Sequence, residues 1–189
     1  GFDARPYTRH PERYWQCWSP QDERLAWDPH EPRLIPVSFV GNPNGDGRIE
    51  MVQTLVDRGM GIRVLDRSCG VPPIAEYFAI LRQSLITLNF TIDQVKGRVF
   101  EALLCGALLM EPSHSPAALL FQPGRDYVPY DGVDDLECKI RYYLAHEEER
   151  AQIAAQGCAT ATTRYSSTVF WTTVLEKLRQ RFPRWAARC

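Results

Sequence analysis

The sequence predicts an α/β domain: a mostly parallel sheet with helices on both faces and a helical C-terminal part. Three observations predict it. From Leu34 to Met110, short apolar runs that read as buried strands alternate with segments of helical period. The connections between them are short and rich in Gly, Pro, Asn and Asp, so each strand reaches its successor through a crossover helix, which makes neighbouring strands parallel. From Val133 onward only the helical period remains.

Taken in order, Leu34-Ile-Pro-Val-Ser-Phe-Val40 is a buried strand that ends at Gly41, and Asn42-Pro-Asn-Gly-Asp-Gly47 is a polar turn in which Asp46 is placed to cap a helix. Ile49, Val52, Leu55 and Val56 then recur at helical spacing, and Gly59 stops that helix. A strand at Ile62 to Leu65, a Cys69-Gly-Val-Pro-Pro73 turn and a helix from Ala75 to Arg82 follow. The strand Leu85-Ile-Thr-Leu-Asn-Phe90 leads to a helix from Gly97 to Cys105, ended by Gly106, and Ala107 to Met110 is a further buried strand. A short strand or turn is expected around Leu119-Leu-Phe121 and another strand near Tyr127-Val-Pro-Tyr130. Helices at Val133 to Ala145, Glu147 to Thr163 and Ser167 to Arg181 complete the chain, with Phe170 and Trp171 as packing residues of the last.

Residues 1–32 hold Trp15, Trp18 and Trp27 of the chain's five tryptophans among scattered prolines, without an apolar period. They read as a linker or arm ahead of a single domain over 33–189. The opening Gly1 and the lack of an initiator Met suggest a piece of a longer protein.

At 189 residues the chain can bury one sizeable core, and 44% hydrophobic with 24% charged residues argues against disorder. No apolar run approaches the ~18 residues of a membrane span, and the first residues lack the apolar core of a signal peptide. A cytoplasmic protein is expected. Its net charge of −1 provides no broad basic field for nucleic acid or an anionic membrane, so an anionic ligand must be met locally. The six cysteines are scattered, with no C-x-x-C pair and no His at ligand spacing, and neither a bound metal nor another cofactor is expected.

The chemistry-bearing stretch is Thr91-Ile-Asp-Gln-Val-Lys-Gly-Arg-Val-Phe-Glu-Ala-Leu-Leu-Cys-Gly106. In a parallel sheet ligands bind beyond the carboxyl ends of the strands. Asp93, Lys96 and Arg98 fall in the loop and first turn after the third strand, with Glu101 one turn further on. Arg98 and Glu101, at i and i+3, could merely satisfy each other on a surface. The apolar run behind Glu101 argues instead for a half-buried carboxylate with a ligand or partner to meet, because a buried unpaired charge is costly.

These residues resemble a known family. Lys96-Gly-Arg-Val-Phe-Glu-Ala-Leu-Leu-Cys-Gly106, the block from Phe121-x-Pro-Gly-Arg-Asp to Tyr130, and Lys139-Ile-Arg-Tyr-Tyr-Leu-Ala-His-Glu-Glu-Glu-Arg150 together look like the C-terminal lobe of GT-B glycosyltransferases, closest to the spore-maturation, CgeB-like branch. The similarity runs from about Val37 to Trp171. It implies a Rossmann-like domain that binds a nucleoside-diphosphate sugar, with an N-terminal acceptor lobe elsewhere in the same protein. The wider retaining group carries a Glu-x7-Glu motif here. Seven residues separate Asp93 from Glu101, so Glu101 matches the glutamate that binds the donor ribose and Asp93 stands at the sugar-binding position. The glycines and proline usual between them are replaced by Gln94, Lys96, Gly97 and Arg98.

The residue chemistry is compatible with that resemblance. A carboxylate accepts from two vicinal hydroxyls, and Lys96 and Arg98 could neutralise a diphosphate leaving group. Gly41, Asn42 and Arg48, after the first strand, stand where a phosphate-binding loop would sit, and Asn89 at the end of the third strand faces the donor or forms a turn. His114 is read as a solvated loop residue. Two rivals remain: a non-catalytic binding module, favoured by the altered Asp93-to-Glu101 loop, and a receiver-like domain, disfavoured because the first strand ends without paired acids.

Overall fold

The computed structural model describes residues 26–28, 30–42, 47–66, 73–90 and 95–182. Its strands are β1 (Ile35–Gly41), β2 (Ile62–Asp66), β3 (Ser84–Leu88), β4 (Leu108–Pro112) and β5 (Val128–Tyr130). Its helices are α1 (Arg48–Asp57), α2 (Ile74–Gln83), α3 (Gly97–Leu104), α4 (Gly132–Ala145), α5 (Glu147–Tyr165) and α6 (Ser167–Arg181). The strands form one sheet in the order β2-β1-β3-β4-β5, and every pairing is parallel. Pro36 is accommodated in the interior strand β1 because it is the second residue, where pairing with β2 has not yet begun; that ladder starts at Val37↔Ile62.

Alternation along each strand sends residues to two separate layers. Val37 and Phe39 of β1, Ile86 and Leu88 of β3 and Leu108 and Met110 of β4 pack with Val52 and Leu55 of α1 and Leu136 and Ile140 of α4. On the opposite face, Val40 meets Tyr77, Phe78 and Leu81 of α2, while Leu109 meets Val99, Phe100 and Leu103 of α3. Both faces being covered explains why the strands are almost continuously apolar. Three buried hydroxyls interrupt them, and they satisfy one another: Ser38 Oγ donates to Thr87 Oγ1 at 3.2 Å and lies 2.8 Å from Ser84 Oγ.

The long helix α5 contributes Ile153 and Ala154 to the first layer and Ala161 to the second. Its approach is so close at Gly157 that a Cβ there would stand 2.3 Å from the Asp126 carbonyl oxygen and 2.7 Å from Leu103 Cδ2. Three glutamates, Glu147 to Glu149, open α5 as expected for its helix dipole. Arg150, next to them, is buried rather than part of that charged rim, and its Nη1 donates to the Tyr143 carbonyl at 2.8 Å.

The amino ends of the strands are closed by residues just ahead of β1. Arg33 Nη1 donates to the carbonyls of Arg82 (3.0 Å) and Ser84 (2.6 Å), and Nη2 to that of Cys105 (3.0 Å). The guanidinium lies 4.3 Å from the Trp27 ring centre, and Glu31 pairs with Arg82 at 3.0 Å. Trp15, Trp18 and most of the expected arm lie outside the described residues.

Of the short strand or turn expected around Leu119, the structure has the turn: a 3-10 turn, Pro116–Leu119, capped by Ser115 Oγ accepting from Ala117 N at 3.2 Å. One sequence expectation is corrected. Trp171 is 54% exposed while Phe170 is buried: α6 meets the remainder chiefly through α5, so only one face is covered and the next residue points ~100° away around the helix. Among the described residues no helix is long and apolar enough to cross a membrane.

Candidate functional site

In this topology the chain leaves β1 for β2 on one side and returns to β3 on the other. The carboxyl ends of β1 and β3 therefore flank a crevice at the point where the strand order reverses, the usual place for a ligand in open α/β sheets. Gly41 ends β1, exposed Asn42 follows it, and Asn89 follows β3.

The helix after β3 brings Arg98 back across this crevice. Its guanidinium lies directly on Gly41, where a Cβ would stand 2.1 Å from Nη2 and 2.7 Å from Cζ, and it rests 5.4 Å from the Phe39 ring centre. Only a residue without a side chain leaves room for it. Burial pulls the Arg98 guanidinium below its ordinary value, Tyr77 and Glu101 push it back up, and the neighbouring cation Arg48 at the start of α1 opposes it. Arg98 Nε is buried without a hydrogen-bond partner. Lys96, at the N-cap position of α3, is half-exposed at the same rim.

One turn into α3, Glu101 is half-buried, and its Oε2 accepts from the Tyr77 hydroxyl of α2. Burial first, then the Glu101 charge, raise the Tyr77 phenol above its ordinary range, so it stays a donor. Glu101 is thus engaged in a defined contact with the neighbouring helix rather than left as a free surface carboxylate.

Asn89 is fully buried and tied on several sides. Its N–H donates to the Met110 carbonyl at 2.9 Å, its carbonyl accepts from the Tyr130 hydroxyl at 2.6 Å, and Nδ2 donates to Glu111 Oε2 at 2.7 Å. Pairing with β4 therefore continues one residue beyond β3. Glu111, completely buried near the end of β4, receives Ser115 Oγ on Oε1 at 2.6 Å.

The fold gathers Gly41, Asn42, Arg48, Asn89, Lys96, Arg98 and Glu101 at one edge of the sheet, with Arg98 in contact with Gly41. Asp93 lies outside the described residues, as does Asp46; Gly47 occupies the N-cap position of α1. His114 is exposed. Tyr77 and Glu111 escaped the sequence reading. Tyr77 sits in the apolar period of Ile-Ala-Glu-Tyr-Phe-Ala-Ile-Leu and reads as core. For Glu111 the one available signal was a carboxylate directly behind the apolar run Ala107 to Met110. Among the described residues no cluster of three or more His, Cys, Asp or Glu could hold a metal.

A separate cavity of about 700 Å³ opens among the amino ends of the strands, lined by Trp27, Arg33, Leu85, Gly106, Arg150 and Cys158. Its charged groups are largely engaged with one another or with the backbone: Arg33 and Arg150 donate to carbonyls, Arg150 also meets Glu147 at 3.7 Å, and Glu31 pairs with Arg82. The chemistry-bearing residues lie at the other end of the sheet.

Residues 50–176 match the family described as glycosyl transferase-like. The chain belongs to that family. The match is to the family as a whole and does not single out its spore-maturation branch. Comparison with curated proteins gives no match. Among solved structures, this glycosyl transferase-like chain superposes on Anabaena Alr3699/HepE in complex with UDP with a TM-score of 0.59 at 17% identity, covering 84% of this chain and 43% of that one. Sucrose-phosphate synthase from Thermosynechococcus elongatus gives 0.60 at 12% identity, covering 87% and 52%. An alpha-glucosyltransferase in complex with UDP-glucose and abasic DNA gives 0.59 at 9% identity, covering 85% and 57%. The glycosyl transferase-like chain spans about half the length of these proteins and has the Rossmann-like fold of one GT-B lobe.

Proposed function

We propose that this chain is the donor-binding lobe of a two-lobed glycosyltransferase, taking a nucleoside-diphosphate sugar at the crevice between β1 and β3. The observation that carries the reading is Glu101. It is a half-buried carboxylate one turn into the helix that follows the central strand, braced by Tyr77, with the Arg98 cation on Gly41 beside it. A carboxylate so placed can accept from both hydroxyls of a ribose, and a ligand lacking one leaves a lone pair unsatisfied. Arg98 and Arg48, with Lys96 at the rim, supply positive charge where a diphosphate would lie and would stabilise it as a leaving group. Asp93 is assigned to the sugar side by resemblance, since it stands at the sugar-binding position of the Glu-x7-Glu motif. The acceptor lobe belongs to the half of the protein that this chain does not span, so the chain alone binds donor and turns over little.

Support comes from the family match and from neighbours of this fold whose structures hold UDP or UDP-glucose. The test is a calorimetric titration with UDP-glucose and GDP-glucose, repeated with the 2′-deoxyribose compounds and with Glu101→Gln. Gln keeps the shape and loses the charge, so donor affinity should fall roughly ten- to a hundredfold while the fold persists. Equal affinity of wild type and variant would remove Glu101 from the site.

A further inference from the structure

Glu111 is buried completely, yet its hydrogen bonds come from neutral donors alone: Asn89 Nδ2 at 2.7 Å and Ser115 Oγ at 2.6 Å. Among the described residues no cation stands within ion-pairing distance of it. From α3, Arg98 acts on it across space. From the β5 side, Tyr127 and Tyr130 face it, the first with a buried hydroxyl that has no partner, the second with its hydroxyl committed to the Asn89 carbonyl. His114, in the same loop as Ser115, points to solvent. A charge so enclosed is expensive to keep ionised. Burial pushes the Glu111 carboxyl up to about 7, against the pull of Ser115, Asn89 and Arg98.

We infer that Glu111 is a positioning residue that couples ligand binding at this edge to a proton: it holds Asn89 and Ser115 at the ends of β3 and β4, and takes up a proton when a diphosphate occupies the space beside Arg98. The inference rests on the nucleotide-sugar reading above. A diphosphate there adds negative charge and compensates the Arg98 cation, and both effects disfavour the ionised carboxylate. The proton comes from solvent and forms an O–H bond at Oε1. The Ser115 hydroxyl hydrogen, which points at Oε1 in the ionised state, rotates away, and the new O–H donates to Ser115 Oγ, which also accepts from Ala117 N at 3.2 Å. Oε2 goes on accepting from Asn89, so the end of β3 stays in place in either protonation state.

The experiment is titration calorimetry of the 189-residue chain with UDP-glucose and, separately, GDP-glucose, at pH 7 in buffers of different ionisation enthalpy. Sugar nucleotides are the right probes because their diphosphate carries no group that itself titrates near neutrality. Wild type should take up roughly half a proton per ligand, and its affinity should weaken as pH rises above 7, by at most about tenfold per pH unit. Glu111→Gln, which keeps the shape, still accepts from Asn89 Nδ2 and, like the protonated acid, donates to Ser115 Oγ, should bind with uptake near zero and a flat pH profile. Ser115→Ala removes a bond that favours the ionised form and should move the pH of greatest uptake upward. Ligand binding without proton uptake by wild type, or unchanged uptake in Glu111→Gln, overturns this inference alone. A wild-type chain that binds neither sugar nucleotide overturns the donor-binding reading and this inference with it.

Discussion

Arg98 covers Gly41 so closely that a Cβ on residue 41 would stand 2.1 Å from its Nη2. The contact joins the end of β1 to the helix after β3, the two elements that flank the crevice, and it sets where the cation sits. The nearest obstacle to a larger residue is the far end of a flexible side chain, but Gly41 also holds φ at 157°, where a residue with a side chain is strained, so Gly41→Ala should both displace Arg98 and cost stability. The expected result is a loss of roughly 1 to 3 kcal/mol in urea unfolding, with a drop of about tenfold or more in sugar-nucleotide affinity. Affinity equal to wild type would mean that Arg98 does not meet the diphosphate.

Tyr77 is expected to brace Glu101 rather than to touch ligand. Tyr77→Phe deletes a hydrogen bond to a charged group, but half-buried Glu101 can turn to water, so the cost should lie near the lower end of the usual range, ~1 kcal/mol. Donor affinity should weaken less than in Glu101→Gln. If the phenylalanine variant loses as much affinity as the glutamine variant, Tyr77 itself contacts the donor.

Glu111 also gives the fold a pH dependence of definite sign. Its carboxyl titrates at about 7 when folded, against an ordinary 4.5, so between those values the folded state holds more protons than the unfolded one. Stability should therefore fall as pH rises from about 5 to 8, by up to ~3 kcal/mol, and be spared this loss below that window. Urea midpoints measured across the range should slope downward for wild type and lie nearly flat for Glu111→Gln. A wild-type midpoint that rises over the same range would contradict a buried, proton-holding Glu111.

Gly157 is the test of the packing of α5. Alanine there gains roughly 1 kcal/mol of helix propensity, yet its Cβ would meet a backbone oxygen at 2.3 Å, which no rotamer change relieves. Gly157→Ala should be destabilising by a net ~2 kcal/mol. A melting temperature at or above wild type would show that α5 can shift away from Asp126 and Leu103 at little cost.

Much of this fold is legible in the sequence because its strands and helices announce themselves locally. Apolar runs such as Leu34 to Val40 and helical spacings such as Val52 and Leu55 depend on residues a few positions apart, and the glycines that end them act where they stand. Glu101 is legible for a related reason: a charged residue at the head of an apolar helix is conspicuous whatever surrounds it, and the spacing to Asp93 lies within one segment. What only the tertiary structure decided are contacts between residues far apart in the chain: Arg98 on Gly41, Tyr77 on Glu101, and Asn89 and Ser115 on Glu111. Tyr77 looks like any aromatic core residue, and Glu111 like an acid starting a loop, until the crossovers bring α2 beside α3 and β3 beside β4. The strand order 2-1-3-4-5 was likewise decided by packing, because alternation fixes that the strands are parallel but not which neighbour each one takes. The crevice exists because that order reverses between β1 and β3, and a periodicity read along one dimension carries no record of where a sheet turns back.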